Sequence, residues 1–294
     1  MSARSQIQTA PRLDHAGAGA EILWLGDPRA SQAAVTGGKA ANLSRLAAGF
    51  RVPPGFALTL EGTTLDRSAR GMITAAYRRL ADITGVAEPA VAVRSSAVDE
   101  DGDGASFAGQ HDTYLNVVGP EQVWWAISRC LASFNAERAL EYRRASGLPE
   151  TPGRVAVLVQ HLVPADASGI VFSANPVTGA RDEVVVNASW GLGESVVGGT
   201  VTPDAYRVAR GGLGVRDRVV ADKRRMTVPT TGGTREVPVP GRMARMPAID
   251  DAQARAAAEL ALALEREMGR PVDLELAWAG ADLFLLQCRP ITTL

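Results

Sequence analysis

Arg94 ends a short apolar run, Val91-Ala92-Val93, and is followed by two serines, Ser95 and Ser96. An arginine at a strand terminus offers a planar fork of donors to phosphate oxygens, and small residues beside it let backbone N–H groups approach a ligand closely. An acidic, glycine-rich turn then leads to Ser106-Phe107-Ala108-Gly109 and on to Thr113. A second cation, Lys39, follows Thr36-Gly37-Gly38. The glycines predict a turn into a helix beginning near Lys39, and a helix N-terminus with a lysine on its first turn suits an anion. This is not a Walker A loop, which needs glycine where Ala33 stands and Ser or Thr where Ala40 stands. From spacing alone, a helix cap with a solvated lysine fits these residues as well.

A third constellation lies near the C-terminus, where Glu275, Gln287 and Arg289 interrupt otherwise apolar strands. Buried polar groups need partners. A carboxylate and a carboxamide on neighbouring strands supply the hard oxygen ligands that Mg²⁺ takes when it shares a site with phosphates. Arg289, two residues from Gln287, projects to the same face and suits a phosphate. A structural Glu–Arg pair across a hairpin explains the same pattern equally well.

The elements that must position these groups are readable in outline. Glu21–Leu25 predicts a first strand, and Val52-Pro53-Pro54-Gly55 an extended lead into the next. Residues 63–84 carry a helical pattern stopped by Gly85. Pro120 precedes a helix with Val123, Ile127, Cys130 and Phe134 on its buried stripe. Thr151-Pro152-Gly153 marks a boundary, after which Val155–Gln160 reads as a strand covered on both faces. Gln160 suits either a satisfied core amide or a reader of a base edge or sugar. Strands at Ser168–Ser173 and Glu183–Asn187 follow and predict a sheet built from sequential pairs, 155–160 first. Ser189–Glu194 and Val197–Gly199 form a second glycine-dense segment, which tight turns explain as readily as phosphate binding. Gly211–Met246, with its basic run Lys223-Arg224-Arg225, reads as hairpins or surface loops. Asp250 or Asp251 caps a helix with Ala257, Leu260, Ala261, Leu264 and Met268 inward, stopped by Gly269. Two closing strands then meet through Gly280 as a hairpin.

At 294 residues the chain is long enough for two lobes, with a mobile tail over 1–19, a first lobe over 20–150 and a second over 151–294. The 31 basic and 32 acidic residues balance, which gives no case for nucleic acid or a membrane surface. No window approaches a membrane span and the N-terminus has no secretory h-region. Two cysteines, Cys130 and Cys288, make neither a disulfide framework nor a zinc site, so a reducing cytoplasm is the expected home.

Ten segments, in order, carry a resemblance: GGKAANL, VPPGF, AVRSSA, SFAGQHDTYLN, VLVQHLV, SGIVFSANPVTG, WGLGESVV, VTPDAY, DLE and LLQCRPIT. Together they resemble the nucleotide-binding domain shared by phosphoenolpyruvate synthase, pyruvate phosphate dikinase and rifampin phosphotransferase, over nearly the whole chain after the tail. The resemblance implies an α+β, ATP-grasp-like pair of lobes with ATP and Mg²⁺ between them. It implies that Lys39, Arg94, Gly109, Thr113, Gln160, Glu275, Gln287 and Arg289 line the nucleotide site, with Lys39, Arg94 and Arg289 catalytic through the phosphates and Glu275 and Gln287 holding the metal. It further implies ATP cleavage to AMP, the terminal two phosphates passing to a histidine on a separate domain or protein and then to a small-molecule acceptor bound elsewhere. His15, His111 and His161 lie outside any segment like the family's phosphohistidine motif, so none is expected to be the nucleophile and the histidine domain is expected in trans. The alternatives are a non-catalytic ATP-sensing module and, with less support, a stand-alone ATP-grasp ligase.

Overall fold

The structure, a computed structural model, describes residues 19–97, 113–145 and 154–292. Two antiparallel sheets organise it. The first has the order β1 (Glu21–Trp24), β2 (Gly55–Glu61), β5 (Arg154–His161), β3 (Val91–Ala97), β4 (Thr113–Val117). The second runs β13 (Asp282–Pro290), β12 (Val272–Ala279), β6 (Ala167–Phe172), β7 (Glu183–Trp190), β8 (Asp204–Ala209), β9 (Val215–Val219). The arrangement is the expected α+β one. One expectation fails: residues 154–161 do not open the second lobe but form the middle strand of the first sheet, paired with β2 and β3. A continuous apolar run reports burial on both faces, and nothing in such a run says which sheet does the burying. The break between sheets therefore falls after His161 and not at residue 150.

Side-chain alternation divides the first sheet. Phe56, Leu58 and Leu60 of β2 face helices α2 (Arg67–Thr84) and α3 (Pro120–Ser133), where Ile73, Leu80, Val123 and Ile127 are buried. Ala57 and Leu158 point the other way, onto α1 (Ala33–Leu46). Gly85 ends α2 at φ 68° and Pro120 opens α3, as the sequence predicts; α2 starts only at Arg67, where Asp66 accepts from the Ala69 N–H, and the helix expected to run from Pro120 to just before Gly147 stops at Ser133. Helix α4 (Glu137–Ala145) follows. The second sheet carries α6 (Asp251–Met268), capped by Asp250 in a full capping box with Gln253 and ended by Gly269 at φ 68°. Its buried stripe is Ala254, Ala257, Ala258, Ala261 and Leu264, with Leu260 and Met268 half-buried. Helix α1 lies between the sheets. Leu43 and Leu46 share one apolar cluster with β2, β5, β12 and α6, and the Asn42 amide donates to the Cys288 carbonyl at 3.3 Å.

The segment after β9 bears out the hairpin reading and departs from a surface one at Lys223. It holds a hairpin of its own, β10 (Arg225–Thr230) with β11 (Gly233–Pro238). The basic run is split: Arg224 and Arg225 are exposed, but Lys223 is fully buried against Asp204, Nζ to Oδ1 at 2.5 Å. The other Asp204 oxygen accepts from the Ala248 N–H at 2.7 Å, so one carboxylate ties both ends of the loop to the second sheet. A buried lysine cannot be told from a solvated one by composition, because its partner Asp204 lies 19 residues away.

Candidate functional site

The site begins with the way α1 starts. Gly37 has φ 75° and breaks the helix there; a Cβ on it would lie 2.0 Å from the Ser96 carbonyl oxygen. Only glycine fits that approach and that φ. Ser96 completes the turn from outside: its hydroxyl accepts from the Ala40 N–H at 3.1 Å and donates to the Thr36 carbonyl at 2.7 Å. The helix that carries Lys39 is thus capped by β3, and the Lys39 ammonium donates to the Ser95 carbonyl at 3.4 Å. The glycine pair read from sequence has its predicted role in the turn.

One residue earlier on β3, Arg94 crosses to the other sheet. Its Nη2 donates to Glu275 Oε2 at 2.5 Å and its Nη1 to the Leu286 carbonyl at 3.4 Å. Both side chains are largely shielded, at 16% and 19% exposure. Burial alone disfavours the charged form of Glu275, but Arg94 in contact and then Arg289 and Lys39 outweigh it and hold the carboxyl below the usual glutamate range. Three cations and one ionised carboxylate therefore share this corner.

The β12–β13 register sets Glu275 opposite Gln287 and Asp273 opposite Arg289, so the four lie on one sheet face. Arg289 bonds Asp273 through Nε at 2.8 Å, so the Glu–Arg hairpin pair considered from sequence is instead an Asp–Arg pair. Sequence reading passed over Asp273, although its spacing two residues before Glu275 marks the same face. Burial lifts Asp273 above the usual aspartate range; Arg289 offsets part of that rise and the neighbouring Glu275 charge adds to it.

A cavity of about 330 Å³ opens beside this corner, lined by Arg94, Thr113, Gln160 and Glu275 together with residues of both sheets. Its volume is in the range of small-ligand sites. Most other walls are apolar: Leu115, Leu162, Val163, Val196, Leu276 and Leu286. Thr113 pairs with Arg94 across β3–β4. Gln160 is buried and its amide nitrogen donates to the Pro53 carbonyl at 3.1 Å, so the satisfied-core reading holds for that nitrogen. Lys39, Gln287 and Arg289 are not among the residues that line it. Gly109 lies outside the described residues, as do His15 and His111. His161 lines the cavity, and burial lowers its pKa from the ordinary histidine value.

The second glycine-dense segment also reaches the site. Gly193, Glu194 and Gly198, around helix α5 (Glu194–Val197), line the cavity wall facing the linker 162–165. Gly191, at φ 76°, lies against the Thr227 carbonyl, which a Cβ would meet at 2.4 Å, and the Leu192 N–H donates to that same carbonyl at 2.9 Å. At the other end of the hairpin, the Asn116 amide donates to the carbonyls of Thr230 and Gly233, each at 2.7 Å. The β10–β11 hairpin so spans from β4 of the first sheet to the glycine segment of the second.

Among the described residues no cluster of three or more His, Cys, Asp or Glu side chains forms a metal cage. Glu275, held ionised, and the Gln287 carboxamide opposite it nonetheless fit Mg²⁺, which keeps waters and uses one or two protein oxygens where phosphates supply the rest. No helix among the described residues is long and apolar enough to cross a membrane.

Comparison with known proteins agrees with the motifs. Residues 62–294 match the family model described as pyruvate phosphate dikinase, AMP/ATP-binding domain. The rifampicin phosphotransferase of Streptomyces sviceus is 39% identical over 312 aligned residues, covering 93% of this chain and 36% of that protein. The phosphoenolpyruvate synthase of Pyrococcus furiosus is 42% identical over 231, covering 76% of this chain and 28% of that protein. Among solved structures, an acetyl-coenzyme A synthetase of Ca. Korarchaeum cryptofilum aligns over 86% of this chain and 91% of its own at TM-score 0.42 and 12% identity. The chain spans about a third of the length of the curated relatives it matches. With a family model running from residue 62 to the last residue and a cation-rich corner built from that family's motifs, the chain belongs to the pyruvate phosphate dikinase AMP/ATP-binding domain family.

Proposed function

We propose that the chain binds ATP in the cavity between the sheets and carries out the ATP-cleaving half of a dikinase-type phosphotransfer, forming AMP and passing the β- and γ-phosphates to a histidine on a separate domain or protein. The observation that carries this reading is the meeting of Arg94 and Glu275, one from each sheet, 2.5 Å apart on the wall of a largely apolar cavity. An apolar slot suits a purine, and a corner with three cations suits a polyphosphate.

In this reading Lys39, Arg94 and Arg289 neutralise phosphate oxygens, Thr113 and Gly109 contribute hydroxyl and backbone contacts, and Gln160 uses its free carbonyl oxygen on the nucleoside. Arg94 exchanges part of its bond to Glu275 for the phosphates, which frees a carboxylate oxygen. Glu275 and Gln287 would then hold Mg²⁺, which supplies charge neutralisation across the transferring oxygens. The remaining work of the chain is positioning: two sheets hold donors at fixed places while charge spreads over the phosphoryl group. The small-molecule acceptor and the nucleophilic histidine are assigned to other parts of the system, because His161, the histidine that lines the cavity, lies in no segment like the family's phosphohistidine motif.

The test is calorimetric titration with ATP, with and without Mg²⁺, of the wild type, Arg94→Ala and Glu275→Ala. The expected result is Mg²⁺-dependent binding that both substitutions abolish or weaken at least tenfold. A second step adds the histidine-bearing domain of a relative and follows AMP and phosphohistidine. AMP formed only when that domain is present supports the transfer reading; tight binding with no AMP under any partner would make the chain an ATP-sensing module.

A further inference from the structure

The charged groups that line the cavity, histidine aside, are Arg94, Glu275 and Glu194, and Glu194 stands apart from the other two along the strands. The register gives the separation. Glu275 is opposite Ile170 of β6, and Ser168, two residues on, is opposite Ala277. Two strand residues advance about 7 Å. Gly193 packs against Ser168, with the space for its Cβ 3.6 Å from the Ser168 Cβ, and Glu194 is the next residue. Glu194 therefore lies about 7 Å or more along the cavity from the phosphate corner, on the order of the span between a β-phosphate and its ribose hydroxyls.

The Glu194 backbone is held from both sides: the Leu192 N–H donates to Thr227 and the Gly198 N–H donates to the Glu194 carbonyl at 2.8 Å. Its side chain is exposed on the cavity wall between the apolar Leu192 and Val196, and its carboxylate has no hydrogen-bond or ion-pair partner among the described residues. A carboxylate is acceptor-only, with two oxygens. Beside a triphosphate it would repel; beside a vicinal diol it accepts from both hydroxyls. The Gln160 amide nitrogen cannot take that part, since it only donates and already gives one N–H to the Pro53 carbonyl.

We propose that Glu194 is the specificity-determining residue for the sugar: its carboxylate accepts hydrogen bonds from the 2′- and 3′-hydroxyls of the bound nucleotide, so the site takes ribonucleotides over deoxyribonucleotides. This rests on the ATP reading above. The experiment measures binding of ATP, 2′,3′-dideoxy-ATP and inorganic tripolyphosphate, each with Mg²⁺, to the wild type, Glu194→Ala and Arg94→Ala. Hydrogen bonds to a charged acceptor predict about a tenfold or greater preference of the wild type for ATP over the dideoxy analogue. Glu194→Ala brings that ratio close to one by weakening ATP alone and leaves tripolyphosphate binding unchanged, which also shows that the variant is folded. Arg94→Ala weakens all three ligands. ATP binding by the wild type without sugar discrimination, or discrimination that survives in Glu194→Ala, overturns the role of Glu194 and leaves the nucleotide site standing. No binding of ATP by the wild type overturns both.

Discussion

The Arg94–Glu275 pair is the residue on which the two sheets agree, and its energetics are testable without any ligand. Removing the guanidinium leaves a shielded carboxylate without its contact cation, so Arg94→Ala is expected to destabilise by about 3 kcal/mol, read as a shift of the urea midpoint. Adding Glu275→Gln to that variant should recover part of the loss, because the orphaned charge goes with it. Losses that simply add would show that the pair is not coupled. The pH dependence has a definite sign. Glu275 has a lowered pKa in the fold, so its contribution is complete at and above the ordinary glutamate range and is lost as pH falls through its lowered value. The stability gap between wild type and Glu275→Gln should therefore be flat near neutrality and close in acid; a gap that widened in acid would contradict the assigned shift. Cys288 offers a second check at this scale. Burial, with the Asp273 charge nearby, pushes its thiol up to about 12. Native protein at pH 8 is expected to leave it unmodified by a thiol reagent, and denatured protein to react fully. Rapid labelling of Cys288 in the native state would mean that β13 is not packed on α1 as described.

Two elements hold the corner and the cavity in place, and each turns on one backbone position. Gly37→Ala puts a methyl group 2.0 Å from the Ser96 carbonyl at a φ that alanine adopts at a cost, so α1 must move and Lys39 with it. The expected result is a loss of several kcal/mol in stability, or of ATP binding in whatever remains folded, by the same denaturation and titration measurements. The β10–β11 hairpin depends on Asn116, a non-glycine residue at φ 55° whose amide grips both carbonyls at the hairpin tip. Asn116→Gly keeps the backbone conformation accessible and removes only the grip. Hydrogen exchange over residues 225–238 should rise in that variant while exchange in α6 stays unchanged; equal protection in both proteins would show that the grip is idle. The sequence displayed both positions without displaying their reasons. Gly37-Gly38 announced a turn, but the partner that forbids a side chain, Ser96, lies 59 residues along. Asn116 sits in a recognisable TYLN segment, yet its partners, Thr230 and Gly233, come from a stretch read as hairpins or surface loops with no sign of what they would meet.

At the scale of the whole molecule, what was legible is what local chemistry encodes. Helix caps at Asp250, Gly85 and Gly269, the closing hairpin through Gly280 and the polar trio Glu275, Gln287 and Arg289 all follow from side-chain type and period. What was not legible depends on long-range pairing: β5 at the centre of the first sheet, Lys223 buried on Asp204, and Asp273 taking Arg289 from Glu275. The same long-range packing decides how the lobes behave. The apolar cluster around α1 draws Leu43 and Leu46 from the helix, Ala57 and Leu158 from the first sheet, and Leu274, Leu276 and Leu285 from the second. A core with members in both sheets cannot lose one without exposing the other, so the lobes should unfold together. Calorimetry is expected to give one transition whose calorimetric and van't Hoff enthalpies agree. Saturating MgATP should raise that single transition as binding to the native state requires, by about 2.7 kcal/mol at a hundredfold excess over Kd. Arg94→Ala should melt in one step at a lower temperature and show a smaller rise with nucleotide, or none. Two resolved transitions, with only one moved by ATP, would mean that each sheet has its own core and that α1 is a hinge between them; one transition means that the cleft is set by the packing of α1 and that nucleotide closes it by small adjustments of side chains and the hairpin.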